Sequence, residues 1–148
     1  MLQRLQEHHG WMLALLKDGD PLVAQPELRP SASFLATRRS AMGRLLTDYQ
    51  QFVHREVFDP LIAHGTPEDA ALARAVKVDC IELVESFRAF QRRWMAEDAI
   101  DRWDEYHPQA VRMIERLRRH IADVDAIARQ LEATRQFPSD TAGGKLPD

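Results

Sequence analysis

The chain has 148 residues, the usual length of one domain, of which 45% are apolar and 29% charged. This balance excludes a disordered chain, and a net charge of −3 with an isoelectric point near 6.1 disfavours nucleic-acid binding, which requires a basic surface. The single cysteine excludes an intramolecular disulfide and a cysteine-cluster metal site. No apolar run approaches the ~18 residues of a membrane span, and the first residues do not resemble a signal peptide, so we expect a cytoplasmic protein without membrane or nucleic-acid partners.

The composition also indicates the fold class. The chain contains 16 leucines and 19 alanines, whereas valine, isoleucine and threonine together number 19. Leucine and alanine favour helices, and β-branched residues favour strands. We therefore predict an all-α protein.

Apolar periodicity marks two helices in the first half of the chain. A helix over Leu2–Lys17 is predicted because apolar residues recur there at alternating spacings of three and four. The segment 22–30 has no helical period and is predicted to be a loop. A second helix is predicted to begin at an N-cap, Ser31 or Ser33, and to end near Ala63.

Two further helices are predicted in the second half. The third has a strong start signal, because Thr66 can cap it and Pro67 suits its first position. Its apolar face predicts an end within Trp94–Glu97. The fourth helix is predicted to begin with Asp101 or near Trp103 and to continue through a long apolar face.

Four long amphipathic helices joined mostly by short connections predict an antiparallel, up-down-up-down four-helix bundle. We expect residues 1–135 to form this single domain. Residues 136–148 have no helical period and are predicted to be a flexible tail.

Polar residues on the apolar faces are the candidate functional residues, because bundles build ligand sites in their cores. His9 and His120 lie on such faces, Asp79 lies on an apolar track of the third helix, and His54 borders the second helix's face. Their side chains suit zinc, iron, manganese or cobalt. Tyr49, on the second helix's apolar face, can be a hydrogen-bond partner, and histidine, aspartate and tyrosine can also satisfy one another without a metal.

Three segments resemble the helices of the hemerythrin-like (HHE cation-binding) family. They are LQEHHGWMLALL in the first helix, LLTDYQQFVHREVFDPLIAHG at the end of the second and RLRRHIADVDAIARQL in the fourth. The resemblance implies a four-helix bundle with a non-haem di-iron or related centre that serves oxygen binding or oxygen, iron or redox sensing.

The sequence departs from that family's ligand pattern at several positions. Tyr49 and Val53 stand where the family has histidine and glutamate. After His120 the sequence has Val124 four residues later and Asp125 five residues later, and the second spacing is known in the family although it lies about 140° round the helix. The di-iron set is therefore incomplete. What the resemblance implies here is a divergent member that holds iron (one ion or two) or zinc, with the metal ligands predicted at His9, His54, Asp79 and His120, or one that holds no metal.

Three functions follow. The first is a non-enzymatic metal-binding module with an oxygen-sensing, redox-sensing or regulatory role. The second is a metal-free helical interaction module, a homodimer or a regulator of another protein; a looser resemblance to small bacterial anti-sigma regulators also fits it. The exposed apolar residues that it would need are predicted to be Trp11, Phe34, Trp103 and Tyr106. The third is an enzyme with His120 and Asp79 as an acid–base pair, for which no spacing indicates a reaction, so we expect no enzymatic activity.

Overall fold

The computed structural model describes the backbone of residues 2–145 and the side chains of residues 2–133. All regular elements in this part are helical, which confirms the all-α prediction. They are α1 (Leu2–Lys17), α2 (Asp20–Ala24), α3 (Ala32–Val53), a π-helical segment (His54–Phe58), α4 (Asp59–His64), α5 (Pro67–Ala96) and α6 (Trp103–Lys145). Within the described residues, none of these helices combines the length and the apolar character that crossing a membrane requires.

The predicted helix starts are confirmed by their capping hydrogen bonds. The Ser31 hydroxyl accepts a hydrogen bond from the Phe34 backbone N–H at 3.1 Å. The Thr66 hydroxyl accepts one from the Asp69 backbone N–H at 3.1 Å, and Pro67 occupies the first turn of α5. Each hydroxyl satisfies a backbone donor that has no partner inside the helix, which is why the chain turns into a helix at these residues.

Two regions differ from the prediction. The predicted loop before Ser31 begins as a short helix, α2, which starts with Asp20 and Pro21 in its first turn. At the other end, α6 continues to Lys145 and so includes residues 136–145 of the predicted tail. Side chains from residue 134 onwards and residues 146–148 lie outside the described part, so a separate tail stays a prediction.

The four long helices contact one another in a ring. α1 contacts α3 and α6, and α5 contacts the same two helices. Pairs of contacting residues on neighbouring helices show whether those helices run parallel or antiparallel. Arg4–Phe52 and His9–Tyr49 join α1 to α3. Arg39–Trp94 and Gly43–Gln91 join α3 to α5, and Trp94–Gln109 and Asp79–His120 join α5 to α6. In each pair the residue number rises on one helix while it falls on the other, so these neighbours are antiparallel.

The buried residues form two clusters, and the smaller one corrects a sequence prediction. It contains Leu35, Trp94, Ala99, Trp103 and Tyr106. Trp103 and Tyr106, predicted to be exposed, are only 6% and 3% exposed because the first turn of α6 folds back against the end of α5. Trp103 Nε1 also donates a hydrogen bond to the Pro26 carbonyl at 2.7 Å. Phe34 is half-buried, and Trp11 alone of the four is largely exposed.

The π-helical segment keeps one face of the α3–α4 unit buried. Tyr49, Val53, Val57 and Leu61 are spaced by four and are all at most 3% exposed. In an ideal α-helix each such step drifts by about 40°, so three steps would carry Leu61 off this face. The Asp59 backbone N–H instead donates to the His54 carbonyl, five residues back, and this wider turn absorbs the drift.

Candidate functional site

Two histidines meet the hydroxyl of Tyr49 in the core. The Nε2 atom of His9, on α1, lies 3.1 Å from the Tyr49 hydroxyl oxygen, and the Nε2 atom of His120, on α6, lies 3.0 Å from it. All three side chains are at most 2% exposed. Each is at a core-facing position of its helix, so the packing of α1, α3 and α6 fixes where the three polar groups meet.

A carboxylate lies beside the outer nitrogen of each histidine. His9 Nδ1 is 2.8 Å from Asp125 Oδ1, and His120 Nδ1 is 3.5 Å from Asp79 Oδ2. The two carboxylates are more exposed than the rings: the side chains of Asp125 and Asp79 are 33% and 47% exposed. The five side chains therefore form a chain of polar groups that begins and ends near the surface and passes through the core.

One arrangement of protons fits the neutral chain. The Asp125 carboxylate accepts a hydrogen bond, so His9 carries its proton on Nδ1 and accepts at Nε2 from the Tyr49 hydroxyl. The Tyr49 oxygen then accepts from His120 Nε2–H, which leaves His120 Nδ1 without a proton. This agrees with the geometry, because His120 Nδ1 is buried and has no hydrogen-bond partner within the described residues.

Burial keeps these groups uncharged. It lowers the pKa of His9 and of His120, although Asp125 and Asp79 each oppose part of that effect. Burial also raises the pKa of Tyr49 well above its ordinary value. The imidazoles are therefore neutral and the phenol is protonated near pH 7, with lone pairs available on the imidazole nitrogens.

The donor set also fits a transition metal. Adjacent ligands of an octahedral ion bound at about 2.1 Å lie about 3.0 Å apart, so the two distances from the Tyr49 oxygen, which are also ordinary hydrogen-bond lengths, are compatible with such an ion. Ligating histidines commonly donate the other ring N–H to a carboxylate, as His9 does to Asp125. By contrast, no three His, Cys, Asp or Glu side chains gather as a metal-binding group among residues 2–133, so an ion at this point would need the Tyr49 oxygen as its third donor.

The structure brings together three of the four predicted ligands. His9 and His120 meet at Tyr49, and Asp79 lies behind His120. His54 lies instead on the π-helical segment, with its ring centroid 5.4 Å from that of Phe58 and its Nε2 buried without a hydrogen-bond partner in the described part. Burial, and secondarily the nearby Lys77, lowers the pKa of His54. A single ion held by all four residues stays a prediction.

The contact between His9 and Asp125 was not predicted. Asp125 follows His120 by five residues and so faces a different side of α6, towards α1. Two signals were available: its spacing of five residues after His120, which is known in the hemerythrin-like family, and its position beside Val124, a core residue, which places an acid at the edge of the buried face.

Cys80 is close to this site but chemically separate from it. The thiol is fully buried on α5, and burial raises its pKa from 9.0 to about 12, which lowers the thiolate fraction about a thousandfold at neutral pH. We expect a disulfide reagent such as dithionitrobenzoate to modify the folded protein far more slowly than the protein unfolded in guanidinium. Equal rates in the two states would contradict the burial of this thiol.

Comparisons with known proteins identify no relative. No protein-family model, no curated protein and no solved structure matches this chain. The hemerythrin-like resemblance therefore rests on the three sequence segments, and the function must be argued from the site.

Proposed function

We propose that the chain is a hemerythrin-like, up-down-up-down four-helix bundle that binds one transition-metal ion, iron foremost, and acts without catalysis as an oxygen or redox sensor in the cytoplasm. The observation that carries the proposal is the convergence of His9 Nε2 and His120 Nε2 on the Tyr49 hydroxyl. The antiparallel contacts between neighbouring long helices support the bundle topology.

In this proposal each residue has a distinct role. His9 and His120 bind the ion through Nε2. Asp125 holds the His9 ring by accepting its Nδ1–H, and the His120 proton moves from Nε2 to Nδ1, on the side of Asp79. Tyr49 binds as a phenolate, so binding releases its proton and the affinity rises with pH. A bound iron ion would supply a redox couple.

The buried surroundings favour one ion over two. Val53, which stands at a family position for glutamate, and Val124, four residues after His120, are both 0% exposed and offer no oxygen to bridge a second ion. The mixed nitrogen and oxygen donor set suits iron better than it suits a thiol-preferring metal.

Metal analysis of matched variants tests the proposal. After reconstitution with ferrous iron, we expect about one equivalent in the unmodified protein and in His54→Ala, but less than about a tenth in His9→Ala and His120→Ala. Circular dichroism checks that each variant is folded. An unmodified protein that retains no iron, zinc or manganese overturns the proposal. Loss of metal in His54→Ala as well would favour the four-ligand set predicted from the sequence.

A metal-free interaction module is the second candidate, and the hydrogen bonds that already engage His9 and Tyr49 favour it. Both nitrogens of His9 and the Tyr49 hydroxyl already have protein partners. Trp11, 54% exposed, supplies an apolar contact on α1 for a second copy or a regulatory partner. Sizing of the metal-depleted protein, with Trp11→Ser as the comparison, distinguishes a dimer through this face from a monomer.

A further inference from the structure

Arg39 is a buried cation without a counter-ion in the described part of the chain. It lies on α3 and is only 8% exposed. Its Nη1 donates to the Tyr106 hydroxyl at 3.3 Å and its Nη2 to the Trp94 carbonyl at 3.1 Å, and both of these acceptors are neutral. Its buried Nε has no hydrogen-bond partner among the described residues. Buried charges in proteins are normally paired, so this guanidinium has unused capacity to bind an anion.

The same arginine lines a cavity of about 90 Å³. The cavity lies between the two buried clusters, and apolar side chains form most of its wall, among them Leu16, Met42, Phe87, Phe90 and Leu117. An apolar cavity with a few placed polar groups is the usual form of a small-molecule site.

A second arginine marks the end of the cavity that reaches the surface. Arg38 and Asp18 both line it and form an ion pair at 2.8 Å, and each side chain is 41% exposed. The Arg38 Nε is buried and has no hydrogen-bond partner among the described residues. Two arginines and one aspartate leave the lining with one net positive charge, which is the complement of a monoanion.

We infer that this cavity binds a small aliphatic monocarboxylate, with its carboxylate on Arg39 and its hydrocarbon chain against Met42 and Leu117. A guanidinium binds a carboxylate through paired hydrogen bonds, and the apolar wall excludes a strongly hydrated dianion such as phosphate. The cavity is smaller than the ~150 Å³ cavity that takes up benzene in another protein, so it suits a short chain rather than a fused ring. This site is separate from His9, Tyr49 and His120, and the inference does not depend on a bound metal.

Calorimetric titration with propionate and with its neutral analogue propionamide tests the charge requirement. We expect propionate to bind at least about tenfold more tightly than propionamide. In Arg39→Met this preference should disappear, whereas in Arg44→Met, which removes an exposed arginine of the same helix, it should persist. Equal affinities for the two compounds, or no detectable binding of propionate at millimolar concentration, would overturn the inference.

A cavity-filling variant covers the case in which Arg39→Met does not fold. Ala110 lines the cavity, and Ala110→Leu reduces its volume while leaving both arginines in place. We expect this variant to bind propionate at least about tenfold more weakly with its helical content unchanged. Undiminished binding would place the ligand elsewhere and refute the assignment.

Discussion

Replacing Tyr49 by phenylalanine is expected to lower the free energy of unfolding of the metal-depleted protein by about 2–4 kcal/mol. The ring itself can be kept in place, since phenylalanine fills nearly the same space. The loss arises because His9 Nε2 and His120 Nε2 both lose their buried partner, and each unsatisfied buried group costs about 1–3 kcal/mol. Urea denaturation in the presence of a chelator measures this change in the free energy of unfolding.

A double variant separates the lost hydrogen bonds from altered packing. Adding His120→Leu to Tyr49→Phe removes one of the unpartnered imidazoles, so the double variant should recover part of the loss. A loss below about 0.5 kcal/mol in Tyr49→Phe would show that the shared hydroxyl contributes little.

The single variant Tyr49→Phe also tests whether Tyr49 is a metal ligand, as proposed. With ferric iron added, the unmodified protein should show a visible tyrosinate absorption band that Tyr49→Phe lacks. If the variant binds iron as tightly and shows the same spectrum, then Tyr49 is not a ligand. Stability of the metal-depleted protein and metal affinity are thus separate readouts of one hydroxyl group.

Truncating Trp94 to alanine is expected to destabilise the protein by about 3–5 kcal/mol, a fall in melting temperature of about 6–20 °C. Trp94 is 2% exposed and packs edge-to-face on Tyr106, with ring centroids 5.0 Å apart. Its Nε1 also donates to Gln109 Oε1 at 3.1 Å. The substitution therefore leaves a cavity in the smaller core cluster and an amide without its partner. Differential scanning calorimetry measures the change.

Trp11→Ala is the matched control for this prediction. Trp11 is 54% exposed and contacts the ring of His8 at 5.4 Å between centroids, so its removal should change the stability by no more than about 0.5 kcal/mol. Similar losses in the two variants would contradict the assignment of Trp94 to a packed core and of Trp11 to the surface.

The sequence was sufficient for the long helices because their signals are local. Ser31 and Thr66 cap helices through their own backbone neighbours, and the apolar spacing of three and four follows from the helical repeat. The burial of Trp103 and Tyr106 could not be predicted from such local signals. It depends on how the connection 97–102 returns the chain to the end of α5, which is a tertiary contact.

The sequence predicted only those residues of the candidate site whose signal is local. His9 and His120 were found because a polar residue on an apolar face is visible in the spacing. Tyr49 was predicted as a hydrogen-bond partner on the same ground. Its position between both histidines and the pairing of His9 with Asp125 depend instead on the rotation and height of three separate helices. The pairing of Arg39 with neutral acceptors depends on α5 and α6 and has no sequence signal of its own.

The π-helical turn at His54–Phe58 has a consequence for how this protein tolerates change. This turn accommodates one residue more than an α-helical turn. The rotation of α3 about its axis is therefore not tied to the rotation of α4 about its own. The part of α3 that carries Tyr49 can therefore keep its orientation towards the two histidines while α4 packs against α5, to which the Asp59–Lys77 ion pair joins it. Substitutions that reshape the α4 end of the molecule can therefore accumulate without turning the phenol away from its partners.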